Sequence, residues 1–374
     1  MVTCSRCVLN DSLPGVVITE NGLCNCCINY DLQKPFYDSL RSEKTKTIYQ
    51  RSLQGFRKRA NGRAKILLGI SGGVDSCYLA YLMHKWEVCC DYFHVDCGWD
   101  TSVAVNNIHA IIRYTGENYY TDVIHWPTIK EMQKCFLKSG LSNQDTIQDH
   151  AFFTSLYRYA IRNKYSCILT GGNFQTEGVF PAELHGNAMD SWHIKDVCKK
   201  YGFSHFDRYP LIRFSEYFIY IPFLSGIKLM RPLNYVDYNK NSAILMLSKE
   251  TEWQAYAGKH GESIFTTFFQ DFYLPTIHSV DKRLIHLSCL INSGQLTKSA
   301  ALSQLAEKPD AWLTTVNKEL VFQRLCIKED ERDFIEKSLP SKYLDYKTWD
   351  ASYKVLKFFQ KLLLRVSTSF RFYS

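Results

Sequence analysis

The chain has 374 residues, of which 46% are hydrophobic and 22% are charged. This length accommodates two or three domains with a buried core, and the composition excludes an intrinsically disordered chain. The net charge of +8 suits an anionic ligand but does not distinguish nucleotides from RNA or an acidic membrane surface. The sequence lacks a recognisable signal peptide and an uncharged apolar run of membrane-spanning length. We therefore expect a cytoplasmic globular protein with reduced core thiols such as Cys77, Cys135 and Cys289.

The first thirty residues contain two Cys-x2-Cys pairs, which are separated by sixteen residues. This spacing predicts a knuckle in which four thiolates hold one structural Zn²⁺, since four protein ligands leave no open coordination position. Four buried thiols without metal are the alternative. Cys26 is a further thiol that competes with Cys24 or Cys27. The expected zinc ligands are Cys4, Cys7, Cys24 and Cys27.

A strand, a glycine-rich turn and a helix follow one another in residues 65–83. Lys65 to Ile70 reads as a buried parallel strand, and Cys77 to Met83 reads as a helix. Glycines let the backbone approach a phosphate closely, and free N–H groups at a helix start point towards it. The turn has neither the Gly-Lys-Ser/Thr ending of a mononucleotide P-loop nor the Gly-x-Gly-x-x-Gly pattern. The residues expected to hold the anion are Ser71, Gly72, Gly73, Val74, Asp75 and Ser76.

Strands and helices continue to alternate up to about residue 206. Further strands are predicted at 88–96, 119–125 and 166–170, with helices between them. This alternation predicts an α/β fold with a doubly wound parallel sheet, which binds ligands at the carboxyl ends of its strands. Beyond residue 207 the pattern indicates helices, at 237–249, 262–270, 281–292, 297–306 and 315–324. The predicted division is a zinc knuckle at 1–35, the sheet domain at 36–206 and a helical substrate or partner region at 207–374.

The hexapeptide Ser-Gly-Gly-Val-Asp-Ser resembles the PP-loop of the ATP pyrophosphatases, which cleave ATP between its α and β phosphates. Mg²⁺ prefers hard oxygen ligands, and Asp75 in the loop and Glu177 after the fourth strand are the candidates. Asp96 ends a neighbouring strand and is expected either to bind the ribose or adenine side or to support the metal. Helix capping or surface placement is the alternative for Asp96 and Glu177. Further cofactor contacts are expected from Gly171, Gly172 and Asn173.

Lys259 and His260 lie in a short polar cluster before an apolar run. A lysine can neutralise charge on the α-phosphate, and a histidine can act as a base or hydrogen-bond donor. A solvated loop gives the same residues, so chemistry alone leaves the two interpretations open. We expect both residues to be catalytic because of the family resemblance described next.

Seven features occur in one order over residues 1–310 and together resemble the N-acetyl sugar amidotransferases (WbpG/PseA type) of bacterial surface polysaccharide synthesis. They are the two thiol pairs, the hexapeptide Ser71–Ser76, and the segments His94–Trp99, Gly171–Gly178, Arg231–Tyr235, Gly258–Thr266 and Asp281–Arg283. The resemblance implies an ATP-dependent enzyme that converts an acetamido group into an acetamidino group. The substrate would be a sugar nucleotide or nonulosonic acid in O-antigen (lipopolysaccharide) synthesis. ATP adenylates the amide oxygen, and ammonia then displaces AMP.

The resemblance also implies partners. A separate glutaminase would supply the ammonia, accompanied by a cyclase-like barrel protein. The sequence contains no recognisable glutaminase nucleophile, which agrees with an outside nitrogen source. No basic-aromatic motif of an RNA-binding module is evident, so nucleic acid is not an expected partner.

The sequence departs from the family pattern at three positions. Cys26 stands where a histidine is expected, Cys97 where an asparagine is expected, and Thr267 where a basic residue is expected. The resemblance does not extend beyond about residue 325. The final stretch, 353–372, is expected to be a helix that packs on the protein body, with anionic lipid as the alternative contact.

Two other functions stay open on the sequence. A PP-loop enzyme that modifies tRNA would share the knuckle, the loop and the positive charge. It would use cysteines near the nucleotide, for which Cys97 and Cys135 are candidates. A zinc-stabilised scaffold that binds ATP without turnover is the other alternative, and it would leave Asp75 and Glu177 idle.

Overall fold

The computed structural model describes residues 1–55, 64–184, 186–256, 261–307 and 311–366. At its centre lies a sheet of five parallel strands in the order β3-β2-β1-β4-β5. The strands are β1 (Ile66–Gly69), β2 (Cys90–Asp96), β3 (Tyr119–Val123), β4 (Cys167–Leu169) and β5 (Lys228–Met230). The predicted parallel sheet is thereby confirmed.

Helices precede the sheet and connect its strands. They are α1 (Asn25–Leu40), α2 (Glu43–Gln54), α3 (Val74–Lys85), α4 (Ser102–Thr115), α5 (Trp126–Ser139), α6 (Thr146–Arg162), α7 (Phe174–Glu177) and α8 (Ser191–Lys200).

The sheet sorts its apolar side chains onto two faces because neighbouring residues of a strand point in opposite directions. Ile66 and Leu68 of β1 join a buried cluster with apolar residues of α2, α3 and α4. Leu67, between them, joins a second cluster with residues of α5, α6 and α8. Helices therefore cover both faces, and this doubly wound arrangement leaves the carboxyl edge of the strands open for ligands.

The fifth strand, β5, comes from beyond residue 206 and was not indicated by the sequence pattern. It pairs in parallel with β4, with Ile168 opposite Leu229. Three residues are too few to show a period, and Lys228 at its start is exposed. The pairing with β4 determines this strand, so the sheet draws one edge from the region predicted to be helical.

Beyond β5 the chain is helical, as predicted, and the five helices expected there are all present. The helices are α9 (Lys240–Glu250), α10 (Ile264–Phe268), α11 (Leu274–His278), α12 (Lys282–Asn292), α13 (Lys298–Ala306), α14 (Ala311–Leu325), α15 (Glu329–Glu336) and α16 (Asp350–Val366). The segment Phe269–Tyr273 joins α10 to α11 as a wider, π-helical turn.

The beginning of α16 packs on the body of the protein. Trp349 is fully buried, and Tyr353 stacks on Phe218 with ring centroids 4.8 Å apart. Val355 and Phe358 on the same helix are exposed. In the described ranges, no helix is long and apolar enough to cross a bilayer.

Candidate active site

The turn between β1 and α3 has the geometry of an anion-binding loop. Gly72 has φ +82°, and a Cβ there would lie 2.4 Å from the carbonyl oxygen of Ala104. Any side chain would therefore clash with the backbone of α4, so glycine is required. No described side chain caps the start of α3 at Gly73. The first N–H groups of this helix therefore have no capping side chain among the described residues and are available to bind an anion.

Two serines close the loop on itself. The backbone N–H of Ser71 donates to Ser76 Oγ at 3.1 Å, and the two hydroxyl oxygens are also 3.1 Å apart. Ser76 Oγ donates to the carbonyl oxygen of Gly73 at 3.2 Å. Val74 is the first residue of α3. The expected loop residues therefore form one structural unit at the carboxyl end of β1.

A second loop, after β4, lies directly against the first. A Cβ on Gly171 would lie 2.9 Å from the carbonyl carbon of Asp75 and from the backbone nitrogen of Ser76. A Cβ on Gly172 would lie 3.4 Å from Glu177 Oε2. The paired glycines therefore have Asp75 on one side and Glu177 on the other, which brings the two predicted Mg²⁺ ligands to one edge of the sheet.

Asn173 and Glu177 stabilise the second loop through reciprocal hydrogen bonds. The Asn173 side chain accepts from the N–H of Thr176 at 3.0 Å, and Glu177 Oε2 accepts from the N–H of Asn173 at 3.2 Å. Asn234 accepts from the N–H of Phe174 at 2.8 Å. The predicted alternative role of Glu177 in capping is thus present, since one of its oxygens binds backbone at the start of α7. Glu177 nevertheless lines three cavities as well.

Tyr238 is a site residue that the sequence analysis missed. Its buried hydroxyl donates a hydrogen bond to Asp75 Oδ1, and its backbone N–H donates to Gln175 Oε1 at 3.2 Å. Burial and the neighbouring Asp75 raise the pKa of Tyr238, so it stays a neutral donor. Tyr238 lies 163 positions from Asp75 in the sequence, so no local pattern reveals that it connects Asp75 to α7.

His94 and Asp100 form a second polar pair at this edge. His94 Nε2 lies 2.9 Å from Asp100 Oδ2, and Nδ1 lies 2.9 Å from the carbonyl oxygen of Ile70. Burial lowers the pKa of His94, but the hydrogen bond and charge of Asp100 outweigh it and raise the pKa above its ordinary value. The pair lines the cavity beside Ser71.

Asp96, at the end of β2, accepts a hydrogen bond from the N–H of Gly98 at 2.6 Å. Among the described residues lining the cavity beside Ser71 are Val95 and Cys97, but not Asp96. One of its oxygens therefore stabilises its own loop, and its predicted contact with the nucleotide stays a prediction.

The predicted catalytic residues Lys259 and His260 lie outside the described residues. Their neighbours on both sides are described. A Cβ on Gly73 would lie 3.3 Å from the hydroxyl of Tyr256 and 3.5 Å from Cδ of Glu262. The chain on either side of the Lys-His pair thus contacts the anion-binding loop.

Two large cavities meet at this site. The loop cavity is about 760 Å³ and is lined by residues that include Ser71, His94, Glu262 and Lys282. The aromatic cavity is about 1160 Å³, and its wall contains Phe153, Tyr157, Tyr217 and Tyr343. Both exceed the lower end of the range of about 300–1,000 Å³ that is typical of small-ligand sites. The residues common to both linings are Ser142, Asp149, Glu177 and Leu184.

The four cysteines of the predicted knuckle come together. Their sulfur atoms all lie within 4.8 Å of one another, with Cys4 and Cys27 3.9 Å apart and Cys7 and Cys24 3.7 Å apart. Four thiolates bound tetrahedrally at about 2.3 Å would be separated by about 3.8 Å. The donor set therefore fits a tetrahedral ion such as Zn²⁺. Cys26 is buried but does not belong to the group of four.

The knuckle packs directly on the active-site loop. Phe174, the first residue of α7, lies between the rings of Tyr30 and Tyr37 of α1 at centroid distances of 4.4 and 4.1 Å. Asn292 of α12 donates to Cys27 Sγ at 3.3 Å. The cysteine group is thereby coupled to the segment that carries Asn173 and Glu177.

Residues 262–363 match the family model described as LPS biosynthesis protein WbpG-like, C-terminal domain. The C-terminal part of this chain is therefore similar to the C-terminal domain of WbpG-like proteins. The match confirms the predicted resemblance and extends it past residue 325, where the sequence analysis had ended it. The comparison with curated proteins finds no match.

The WbpG-like segment supplies one wall of the loop cavity. Ser263 and Thr266 contribute from the start of α10, and Lys282 and His286 contribute from α12. The antiparallel bridge between Asp100 and Ser263 fixes this wall to the loop after β2. The site is thus built jointly by the sheet and the WbpG-like segment.

Three solved structures are similar to this chain at low sequence identity. An NMN synthetase from Francisella tularensis is 13% identical with a TM-score of 0.33, and the match covers 80% of this chain and 95% of that one. The U34-tRNA thiolase NcsA from Methanococcus maripaludis, with its [4Fe-4S] cluster, is 14% identical with a TM-score of 0.34, and the match covers 83% of this chain and 90% of that one. An NH3-dependent NAD synthetase from Campylobacter jejuni, in complex with nitrate, is 12% identical with a TM-score of 0.31, and the match covers 82% of this chain and 98% of that one. These values are too low to carry any inference about substrate.

The cysteine group generates a metal prediction. Purified protein is expected to carry about one Zn²⁺ per chain, because this donor set favours that ion. Cys4→Ser and Cys24→Ser should lower both the metal content and the melting temperature, since metal binding stabilises such small units. Elemental analysis and thermal melting measure the two effects. Cys26→Ser is the matched control and should keep its metal, and metal loss with an unchanged melting curve would exclude a structural role.

Proposed function

We propose that this protein is an ATP-dependent amidotransferase that converts the acetamido group of a sugar nucleotide, or of a nonulosonic acid, into an acetamidino group. The reaction would serve the synthesis of lipopolysaccharide O-antigen or related surface glycans. One observation carries the proposal: a PP-loop with two carboxylates at its edge opens into a cavity walled by a WbpG-like segment. The coarser statement, an ATP-using enzyme of the amidotransferase type, rests on the same features.

ATP would occupy the loop cavity with its phosphates at the turn Ser71–Ser76. The uncapped N–H groups of α3 and the two serine hydroxyls stabilise the charge of pyrophosphate as it departs. Asp75 and Glu177 would hold Mg²⁺, which supplies charge neutralisation at the phosphates when bound. The fit is supported by their placement on either side of Gly171 and Gly172. Lys259 and His260 are proposed to act on the α-phosphate side.

The acceptor would occupy the aromatic cavity, where tyrosine and phenylalanine rings provide stacking surfaces. Its amide group would lie near Glu177, at the junction where the loop cavity and the aromatic cavity meet, because this residue lines both cavities. An amide carbonyl is a poor electrophile, and adenylation converts its oxygen into a good leaving group. Ammonia then attacks the carbon and AMP departs.

The proposed nitrogen source is a separate glutaminase, accompanied by a cyclase-like barrel protein. Water competes with ammonia for the adenylated carbon, and most free ammonia is protonated at neutral pH. Direct transfer from an adjacent enzyme avoids both problems. The proposed Zn²⁺ has a structural role, since four thiolates leave no position for substrate.

Two measurements test the proposed function. Mass spectrometry of sugar nucleotides from cells with and without the gene should reveal one acetamidino sugar that depends on the gene. Purified protein incubated with ATP and that acetamido precursor should release AMP and pyrophosphate. Formation of ADP instead of AMP would refute cleavage between the α and β phosphates.

The first prediction from this proposal concerns Asp75. Asp75→Asn should lower AMP formation by at least about 10²-fold, because one carboxylate charge on Mg²⁺ is lost. Tyr238→Phe keeps the ring but removes the donor to Asp75, and should raise the Mg²⁺ concentration needed for half-maximal rate. Initial rates across a Mg²⁺ titration measure both effects.

Tyr78→Phe is the control for Tyr238→Phe, since the ring of Tyr78 lies 5.5 Å from that of Tyr238 in the same environment. It should leave the Mg²⁺ dependence unchanged. An equal shift in both variants would attribute the effect to packing rather than to the bond with Asp75.

The second prediction concerns nitrogen. The purified chain alone should use high concentrations of ammonium salt, more efficiently as the pH rises and the share of NH₃ increases, and should not use glutamine. Addition of the glutaminase, with the barrel protein, should make glutamine effective at neutral pH. Product formation by the homogeneous chain is the measurement. Efficient use of glutamine without another protein would contradict the partner requirement.

A further inference from the structure

Five carboxylates line the loop cavity, and four of them have a hydrogen-bond donor within the described residues. The donor–acceptor pairs are His94 with Asp100 at 2.9 Å, Thr266 and Gln148 with Asp145 at 2.9 Å each, the N–H of Asn173 with Glu177 at 3.2 Å, and Tyr256 with Glu262. These four carboxylates are held by the protein. The fifth, Asp149, differs from them.

Asp149 lies in the first turn of α6 and lines both the loop cavity and the aromatic cavity. Within the described part of the chain, no side chain or N–H group donates a hydrogen bond to its carboxylate. Its side chain is half-buried and is accessible through the two cavities that it lines. A ligand that spans the junction would therefore contact Asp149 directly.

The surroundings of Asp149 also favour its protonated form. Burial, followed by the charges of Asp145 and Glu177, raises the pKa of Asp149 to about 7, and Lys282 opposes this effect. His286, next to Lys282 on α12, and Glu262 line the same cavity. A group with a pKa near the working pH both accepts and releases a proton readily.

The proposed reaction needs a proton acceptor at this point. When a secondary amide is adenylated on oxygen, its N–H becomes acidic and must lose the proton to give a neutral imidate. We propose that Asp149 is the general base that takes this amide proton. The role rests on the proposed function, because it requires an acetamido acceptor at the cavity junction.

A lone pair of the amide oxygen forms the bond to the α-phosphorus, and the bond from that phosphorus to pyrophosphate breaks with its electron pair leaving on pyrophosphate. The N–H electron pair forms the C=N bond, and the π pair of the C=O bond moves onto the oxygen that is now bound to phosphorus. The proton passes to the Asp149 carboxylate. Asp149 then releases the proton to water before the next turnover.

The test measures the rate at which pyrophosphate is released in the first turnover. Ammonia is left out so that the nitrogen supply does not affect the measured rate. The acceptor is whichever of UDP-N-acetylglucosamine, UDP-N-acetylgalactosamine, CMP-N-acetylneuraminate or the cellular precursor supports AMP formation by the wild type. The wild-type rate should rise with pH as Asp149 ionises and then level off. Asp149→Asn should release pyrophosphate at least about 10²-fold more slowly at pH 7.5, with its ATP affinity within about twofold of wild type.

Asp149→Glu keeps a carboxylate and should recover part of the rate together with a pH-dependent rise. Asp145→Asn is the matched control, one turn away on the same element and bonded to Thr266 and Gln148. It should keep a rise with pH, although at a shifted pH, because its charge raises the pKa of Asp149. If the rate of Asp145→Asn also failed to rise with pH, as expected for Asp149→Asn, a specific role of Asp149 would be contradicted.

Thermal melting provides a readout that is independent of activity. The pKa of Asp149 is higher in the folded protein than in the unfolded chain, so the unfolded chain loses this proton at a lower pH. The free energy of unfolding therefore decreases as the pH rises from about 4 to 8. Asp149→Asn should therefore melt at a higher temperature than wild type at pH 8, with a gap that narrows towards pH 4. A purely structural residue would show a lower melting temperature instead.

The outcomes separate this role from the proposed function. Absence of AMP formation by the wild type with every acceptor would overturn the proposed function and this role with it. A different result would overturn the role of Asp149 alone. In that case the wild type forms AMP, and Asp149→Asn keeps more than a tenth of the wild-type rate and the same pH profile. Loss of ATP binding by Asp149→Asn would also overturn it.

Discussion

The close approach of two backbone loops is the constraint on which the site depends. Gly171 leaves no room for a Cβ because the chain at Asp75 and Ser76 is only 2.9 Å from that position, and Gly72 is similarly confined by Ala104. Glycine at these positions lets the ends of β1 and β4 meet without side chains between them. As a result, Asp75 and Glu177 reach the same edge of the sheet, although they are about a hundred residues apart in sequence.

This arrangement explains why a small N-terminal unit accompanies a sheet domain. The loop that carries Glu177 is short, since α7 has four residues, and a helix of this length has little stability of its own. Stacking of Phe174 between Tyr30 and Tyr37 fixes the start of α7. The cysteine group in turn fixes the fold that presents these tyrosines. A metal bound by the four cysteines would in this way help to determine the position of Glu177.

The sequence predicted those parts of the fold and site that depend on local pattern. Four strands, the loop Ser71–Ser76 and the cysteine group were readable because apolar runs, paired glycines and Cys-x2-Cys spacing each express a local requirement. β5 was missed because three residues carry no period. Tyr238 and Asp149 were missed because their environments are created by segments distant in sequence. The choice of Cys24 over Cys26 also needed the structure, since both are buried thiols in the same turn.

The sheet and the WbpG-like segment contribute different chemical groups to the site. The sheet edge supplies phosphate-binding backbone and hard oxygen ligands, which suit any reaction that splits ATP between its α and β phosphates. The opposite wall, with Ser263, Thr266 and Lys282, lies outside the loop, as does Asp149, which lines both cavities. In the proposed reaction, acceptor choice and proton transfer would therefore depend on residues outside the loop. Under this proposal the same loop would serve different amides, because only the second wall and the aromatic cavity would need to change.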